Sequence, residues 1–376
     1  MPMSYKSDCR YFTGYKPCQF KRSCADCPHY ARVETRIAIL HTEALGAVLR
    51  STCLLAPLRR RYPRAHITWI TYPGAKALLA ENPEIDRLIT IEGSTSALLG
   101  HLEFDVLCSV DKSLEAGAWA EKIKAREKLG FGITASGVIR ALNPEARYQY
   151  DVGLDDNLKF HVNQRPETQQ TTESMGLIWE RDPYILKLSA AESAEVQIRR
   201  QQVAQGARGV IGFNTGCSVL YPYKKMTVEK SIETISMWRR AFPDFAVAIL
   251  GGKEDVERNR AMKDAFAGDG RVVLTPADQG LRSGVLWTDT ADVVLSGCSL
   301  GMHIAIGLGK HVVAWFGVSC PQEVDLYDRG VKILAKVGCS PCWKKSCTNE
   351  PKCFNEVSIE EIEKATGELL TQRGLV

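Results

Sequence analysis

The stretch Ala291–Gly317, ADVVLSGCSLGMHIAIGLGKHVVAWFG, narrows the choice of fold more than any other part of the chain. Asp292–Leu295 is a short apolar run that reads as a buried strand, and a Ser-Gly-Cys-Ser turn follows it. Gly301–Leu308 then reads as a helix and His311–Phe316 as a second buried strand. A strand, helix and strand joined this tightly form a βαβ unit, which requires a parallel sheet. Its turn lies at the carboxyl end of the first strand, where open α/β sheets bind ligands. Ser299 is placed to cap the helix, so the first unpaired N–H groups, near Leu300–His303, would leave the turn. Those donors and the positive helix end suit a phosphate or diphosphate. The same pattern also serves as a purely structural turn.

The rest of the chain repeats this alternation. Arg36–Leu40 reads as a strand, His41–Gly46 as a loop and Ala47–Arg61 as a helix. Strands follow at His66–Tyr72, Ile85–Ile91 and Phe104–Val110, the last ending at Asp111-Lys112, then a helix over Leu114–Lys128 and a strand over Leu129–Ile133. A second series has strands at Val210–Phe213, Ala246–Leu250 and Arg271–Leu274. Its turns are Asn214-Thr215-Gly216-Cys217 and Gly251-Gly252-Lys253-Glu254, and its helix Thr227–Ala241 has Thr227 as N-cap. Between the series, Ala135–Arg181 is polar and weakly periodic. The expected fold class is α/β, with two Rossmann-like domains facing a cleft and cysteine-rich segments at both ends. The expected divisions are a cysteine-rich segment over 1–34, a first domain over 35–155 and a linker over 156–185. A second domain covers 186–335, and a cysteine-rich motif with a final helix covers 336–376. That helix opens on a capping box at Ser358–Glu361.

Two domains agree with a length of 376 residues, and 45% hydrophobic against 24% charged residues supports packed cores. A net charge of +4 gives no reason to expect nucleic acid as a partner. No apolar run is long enough to span a bilayer and Met1–Arg10 lacks a secretory core, so a cytoplasmic protein is expected. Thirteen cysteines in such a chain favour metal ligation or buried thiols over disulfides. Cys9, Cys18, Cys24 and Cys27, with His29 nearby, read as a zinc or iron site because Cys24 and Cys27 have the spacing with which two thiolates grip one ion. They also read as a loose extension whose cysteines merely pack. The tail carries a second set, Cys339, Cys342, Cys347 and Cys353.

The segments RIAILHTEALGAVLRSTCLLAPLRRRYPRAHITWIT, NTGCSVLYPYKKMTVE and SLGMHIAIGLGKHVVAWFG resemble, in this order, the ADP-heptose glycosyltransferases, the family of the lipopolysaccharide heptosyltransferases. VDKSLEA and the cysteine-rich tail look closer to the bacterial autotransporter heptosyltransferase branch. The resemblance implies a GT-B fold and inverting transfer of heptose, or a similar sugar, from an ADP-sugar donor. It implies a glycan or protein Ser acceptor, no catalytic metal, and cysteine-bound iron or zinc in a structural role. Relatives in that branch assemble into rings, so a homo-oligomer is a further implication.

The lipopolysaccharide enzymes carry their base as an Asp directly after the first Gly, but here Ala47 follows Gly46. Asp111 is therefore the candidate base, with Glu43 as the alternative; Asp111 also reads as a cap for the next helix or a partner of Lys112. Lys224 or Lys225 would meet the donor phosphates, Thr215 and Gly216 would let backbone approach them, and Glu254 would accept from ribose hydroxyls. Ser299, Leu300, Gly301, Met302 and His303 fit the family's donor turn, whereas Cys298 stands where many relatives have Asp. In the tail, Cys320, Cys339 and Cys342, with Cys353 or Cys347, match the branch's iron-binding arrangement. The two cysteine sets make two sites, or one if the termini meet. Competing readings are a nucleotide-sugar epimerase or hydrolase of the same fold, an iron–sulfur or redox protein on an α/β scaffold, and a non-catalytic sugar-nucleotide sensor.

Overall fold

A computed structural model of the chain describes residues 5–376. It contains two compact units, each built on a six-stranded sheet.

The first sheet is formed by β1 (Thr35–Leu40), β2 (Ala65–Thr71), β3 (Arg87–Thr90), β4 (Glu103–Ser109), β5 (Lys124–Ile133) and β6 (Ile139–Ala141). Their spatial order is β3-β2-β1-β4-β5-β6, parallel except for the antiparallel β5–β6 pair. The second sheet contains β7 (Gly209–Asn214), β8 (Phe245–Leu250), β9 (Val272–Leu274), β10 (Val293–Gly297), β11 (His311–Phe316) and β12 (Gly330–Leu334). It is wholly parallel, in the order β12-β11-β10-β7-β8-β9. Each order reverses once, between β1 and β4 and between β7 and β10. Consecutive crossovers leave in opposite directions there, and a crevice opens beyond the strand ends.

Burial on both sheet faces explains the unbroken apolar strands: β2 and β8 are buried along their whole length. In the first unit Leu40, Ile70, Phe104 and Leu107 pack with Ala120 and Ile123. In the second, Phe213, Trp238 and Trp315 pack with Ile362, Leu369 and Leu370 from the last helix, Ile359–Gln372. Ser358 accepts from the Glu361 N–H at 3.1 Å, and Trp238 Nε1 donates to Thr366 Oγ1 at 3.1 Å. Among the described residues no helix is long and apolar enough to cross a membrane.

Four sequence expectations change. The helix expected over Ala47–Arg61 is three pieces: Leu45–Arg50, a 3₁₀ turn at Ser51–Leu54, and Leu55–Arg61. Ser51 is drawn to His41 Nδ1 at 2.8 Å, and Pro57 falls in the first turn of the last piece, where no N–H is needed. The helix from Leu114 ends at Lys122, because Lys124–Ile133 pairs along β4 despite its helix-favouring Lys, Arg and Glu residues. Strands β6 and β12 were not foreseen. The region expected as a linker is ordered, with a helix at Glu167–Ser174 whose Thr168, Thr171 and Thr172 are buried. Residues 45–50, 155–168 and 183–376 group into the second unit, and the other described residues into the first.

Candidate active site

In the second unit the reversal point lies between the ends of β7 and β10. Asn214, the last residue of β7, donates from Nδ2 to Ser296 Oγ at 2.9 Å, Ser299 Oγ at 3.0 Å and the Gly216 carbonyl at 3.2 Å. Its carboxamide lies 2.4 Å from where a Cβ of residue 301 would sit, so only glycine fits there. Ser299 occupies the N-cap position of Leu300–Gly307, but its side chain makes no capping bond. It is turned toward Asn214 and Ser296 instead. The expected cap is thus withdrawn, and the amides of Leu300, Gly301 and Met302, which have no intrahelical acceptor, depend on something else. His303 N–H already donates to Ser299 O at 3.2 Å. Cys298 is half-buried beside this turn.

His303 lies beneath the turn, with Nδ1 2.9 Å from the Tyr184 hydroxyl. Burial, and then the positive charges of Arg50 and Lys224, hold its pKa well below the usual histidine value, so it is neutral at physiological pH. Its ring reaches the helix Leu45–Arg50: a Cβ on Gly46 would lie 2.9 Å from His303 Cδ2.

On the β7–β8 side, Thr215 Oγ1 is occupied, 2.6 Å from Asn259 Oδ1 and 3.0 Å from Leu250 O. Gly216 is required because Asp255 Oδ2 would be 2.6 Å from a Cβ at that position. Asp255 accepts from Lys225 Nζ at 2.6 Å and from the Gly252 N–H at 3.0 Å. Glu254, its neighbour, is exposed. Lys224 Nζ lies 3.8 Å from the Trp343 ring centroid and 4.8 Å from that of Tyr221, held by cation–π attraction. The two lysines are adjacent in sequence but engaged differently: Lys225 by a buried carboxylate, Lys224 by aromatic faces. Asn214, Asp255 and Tyr184 were missed as site residues, and only Asn214, a polar side chain at a strand end, gave a local signal.

The first unit's reversal point carries the candidate base. Asp111 Oδ2 accepts from Thr42 Oγ1 at 2.7 Å, Glu43 N at 3.1 Å and Thr42 N at 3.3 Å, while Oδ1 accepts from Ser113 N at 3.0 Å. The carboxylate thereby joins the loop after β1 to the loop after β4. The cap of the next helix is Ser113, which accepts from Ala116 N at 3.1 Å, and Lys112 donates to Gln149 O at 3.0 Å. Glu43 is pushed above the usual carboxylate range by partial desolvation and by the charges of Asp111 and Glu115. Three carboxyl groups therefore share this strand end.

The tail cysteines Cys339, Cys342, Cys347 and Cys353 line one small cavity below the end of β11. Val318 O accepts from Cys342 N at 3.0 Å and Trp343 N at 2.8 Å, and Gly317 leaves room for Cys353 Sγ, 2.7 Å from its missing Cβ. Cys320 is buried beside Trp343, its thiol pushed up to about 12 by desolvation and by Glu323. In the first unit Cys9, Cys18, Cys24 and Cys27 line a cavity of their own. All thirteen cysteines are free, and among the described residues no group of three or more His, Cys, Asp or Glu side chains stands in metal-holding geometry.

Two six-stranded sheets, each with polar groups collected at its reversal point, make a two-Rossmann architecture, and solved structures share it. A glycosyltransferase family 9 structure from Veillonella parvula has a TM-score of 0.68 at 17% identity, covering 90% of this chain and 98% of that one. The E. coli ADP-heptose lipopolysaccharide heptosyltransferase II has a TM-score of 0.64 at 18% identity, covering 90% and 99%. The iron-containing dodecameric glycosyltransferase TibC from enterotoxigenic E. coli has a TM-score of 0.53 at 13% identity, covering 92% and 77%. No curated protein sequence matches the chain. Residues 99–353 match the family model Glycosyltransferase family 9 (heptosyltransferase), and the chain belongs to this family.

Proposed function

We propose that the protein transfers heptose, or a similar sugar, from ADP-heptose to a hydroxyl acceptor with inversion at the anomeric carbon. The observation that carries this reading is the uncapped start of Leu300–Gly307: Asn214 holds the Ser299 hydroxyl away and leaves three amides for a diphosphate. The Lys224 ammonium, held only by ring faces, is the cation available to the leaving group, and Lys225 adds charge from its place on Asp255. Thr215 and Gly216 shape the turn rather than offer side-chain donors, and exposed Glu254 is assigned to the ribose hydroxyls.

In the transfer the acceptor oxygen attacks the anomeric carbon, the bond from that carbon to the diphosphate breaks, and ADP departs with the electron pair. Asp111 takes the acceptor proton, its position fixed by four donors and its Oδ1 the less encumbered oxygen. Neighbouring Glu43, whose proton affinity is raised, is the residue that would take the role if Asp111 only positions the loop. Charge on the leaving group is met by protein donors, so the step is written without a catalytic metal. The acceptor class is a lipopolysaccharide-type glycan or a protein Ser. The tail thiols suit iron or zinc in a structural role, with Cys320, Cys339 and Cys342 and either Cys353 or Cys347 as ligands. The protein is assigned to the cytoplasm, in keeping with its free thiols, and self-association is part of the proposal.

Calorimetric titration with ADP, ADP-heptose, GDP and UDP tests the donor, and Asp111→Asn tests the base. The variant is expected to bind ADP as the wild type does and to lose transfer by at least about 100-fold. Wild-type turnover by Asp111→Asn, or equal affinity for all three nucleotides, would overturn the respective assignment.

A further inference from the structure

We infer that residues 5–34 fold around a zinc-type ion of their own, held by Cys9, Cys18, Cys24 and Cys27, so that the chain carries two separate four-thiolate sites.

Beyond three aromatic pairs and the Arg10–Asp86 ion pair, the segment has no core of its own to fold around. It contains no helix or strand, and its one ladder contact is the isolated antiparallel bridge between Cys9 and Arg32. Every hydrophobic residue of the buried core lies at Ile37 or beyond. A stretch this short does not hold a single conformation on apolar burial alone; it needs a disulfide, a metal or a partner. Its four cysteines are free thiols. What the backbone does supply is a series of reverse turns begun by cysteines. Phe12 N donates to Cys9 O at 3.0 Å, Lys21 N to Cys18 O at 2.9 Å and Tyr30 N to Cys27 O at 3.2 Å. Lys21, at φ 47°, takes the left-handed conformation to complete the second.

The four side chains converge on one space. They line a single cavity of about 20 Å³, room for one body the size of an ion or a water. Its other walls include Tyr11, Phe12 and Phe20, which exclude solvent, and Lys6 and Arg22, which offset the charge that four thiolates leave on a divalent ion. His29 borders the same space, but its ring is stacked on Phe20 with centroids 3.9 Å apart, the place of a wall rather than a ligand. The thiols do not stand in metal-holding geometry as they are, so a common ion requires them to turn about χ1 toward it. No cysteine from the tail borders this cavity, and none of these four borders the tail's. The two sets belong to different units. Four thiolates with no open position match a closed structural zinc site.

The test uses the full chain loaded with Zn²⁺ and freed of excess, with metal counted by elemental analysis. The wild type is expected to hold two equivalents. Cys24→Ser with Cys27→Ser is expected to hold one and to become cleavable by trypsin within residues 6–22. Cys339→Ser with Cys342→Ser is expected to lose the other equivalent and keep that segment protected. Replacement by Co²⁺ should give tetrahedral thiolate bands that weaken in the first variant. An unchanged metal content in the first variant, or loss of all metal in the second, would overturn the inference, as would iron recovered in place of zinc after loading with both. Should the first variant fail to fold, chelation of the wild type gives the same reading: cleavage within residues 6–22 must rise and Zn²⁺ must reverse it. No change in protection refutes the proposal.

Discussion

Replacing Lys225 by Met tests whether the donor-side turn is held by one buried ion pair. The Asp255 side chain is 3% exposed and that of Lys225 14%, with 2.6 Å between Oδ1 and Nζ. Removing the ammonium leaves the carboxylate with the Gly252 N–H as its remaining drawn partner. Breaking a buried pair from one side costs about 3–5 kcal/mol, and the partial exposure of Lys225 places the expectation near the lower end. A fall of about 3 kcal/mol corresponds to a midpoint roughly 6–12 °C lower for a unit of this size. Adding Asp255→Asn should recover more than half of that loss, because the neutral amide oxygen still accepts from Gly252 without a buried charge. Thermal unfolding of the wild type, both single variants and the double variant completes the cycle. If Lys225→Met melts within about 2 °C of the wild type, or if Asp255→Asn gives no recovery, the pair does not hold the turn. ADP added to each variant reports separately on the site, since a ligand raises the midpoint only of a state that binds it.

Gly301→Ala should weaken ADP binding at least about tenfold and cost about 1–3 kcal/mol of stability, because its methyl would meet the Asn214 carboxamide at 2.4 Å; calorimetry showing unchanged affinity would refute this. Glu323 is raised from 4.5 to about 7, first by burial and then by Glu167, against the lowering effects of Lys159 and Arg50. Between pH 4.5 and 7 the folded state keeps a proton that the unfolded state has lost, so stability from this group falls as pH rises through that window, by about 3 kcal/mol in full. Urea unfolding at pH 5 and pH 8 should show a smaller fall for Glu323→Gln than for the wild type, and parallel behaviour of the two would count against the shift.

The reversal points were legible because strand, turn and helix succeed one another on a short period: the Ser299–His303 turn, the Thr227 cap and the strand end at Asp111 all stand where alternation puts them. What escaped was decided by partners distant in sequence. Lys124–Ile133 has a helix former's composition, yet β4 lies beside it and pairing prevails over local preference. Ser299 was read as a cap, and its hydroxyl goes to Asn214, 85 residues away. Asp255 was passed over for its exposed neighbour Glu254, because sequence does not show which of two carboxyls turns inward. Residues 156–185 read as a linker since much of the burial there falls on polar Asn163, Thr168, Thr171 and Thr172, which hydropathy counts as surface.

The helix Leu45–Arg50 follows the first strand of the chain yet belongs to the second unit. Its Gly46 is the close-approach point for His303, and Arg50 pairs with Glu167 at 2.6 Å. Residues 155–168 make the same excursion. Neither half of the molecule is therefore encoded by a continuous stretch of gene. A cut after Asp182 would leave residues 45–50 and 155–168 of the second unit on the other fragment, so neither unit can be excised whole as one continuous piece.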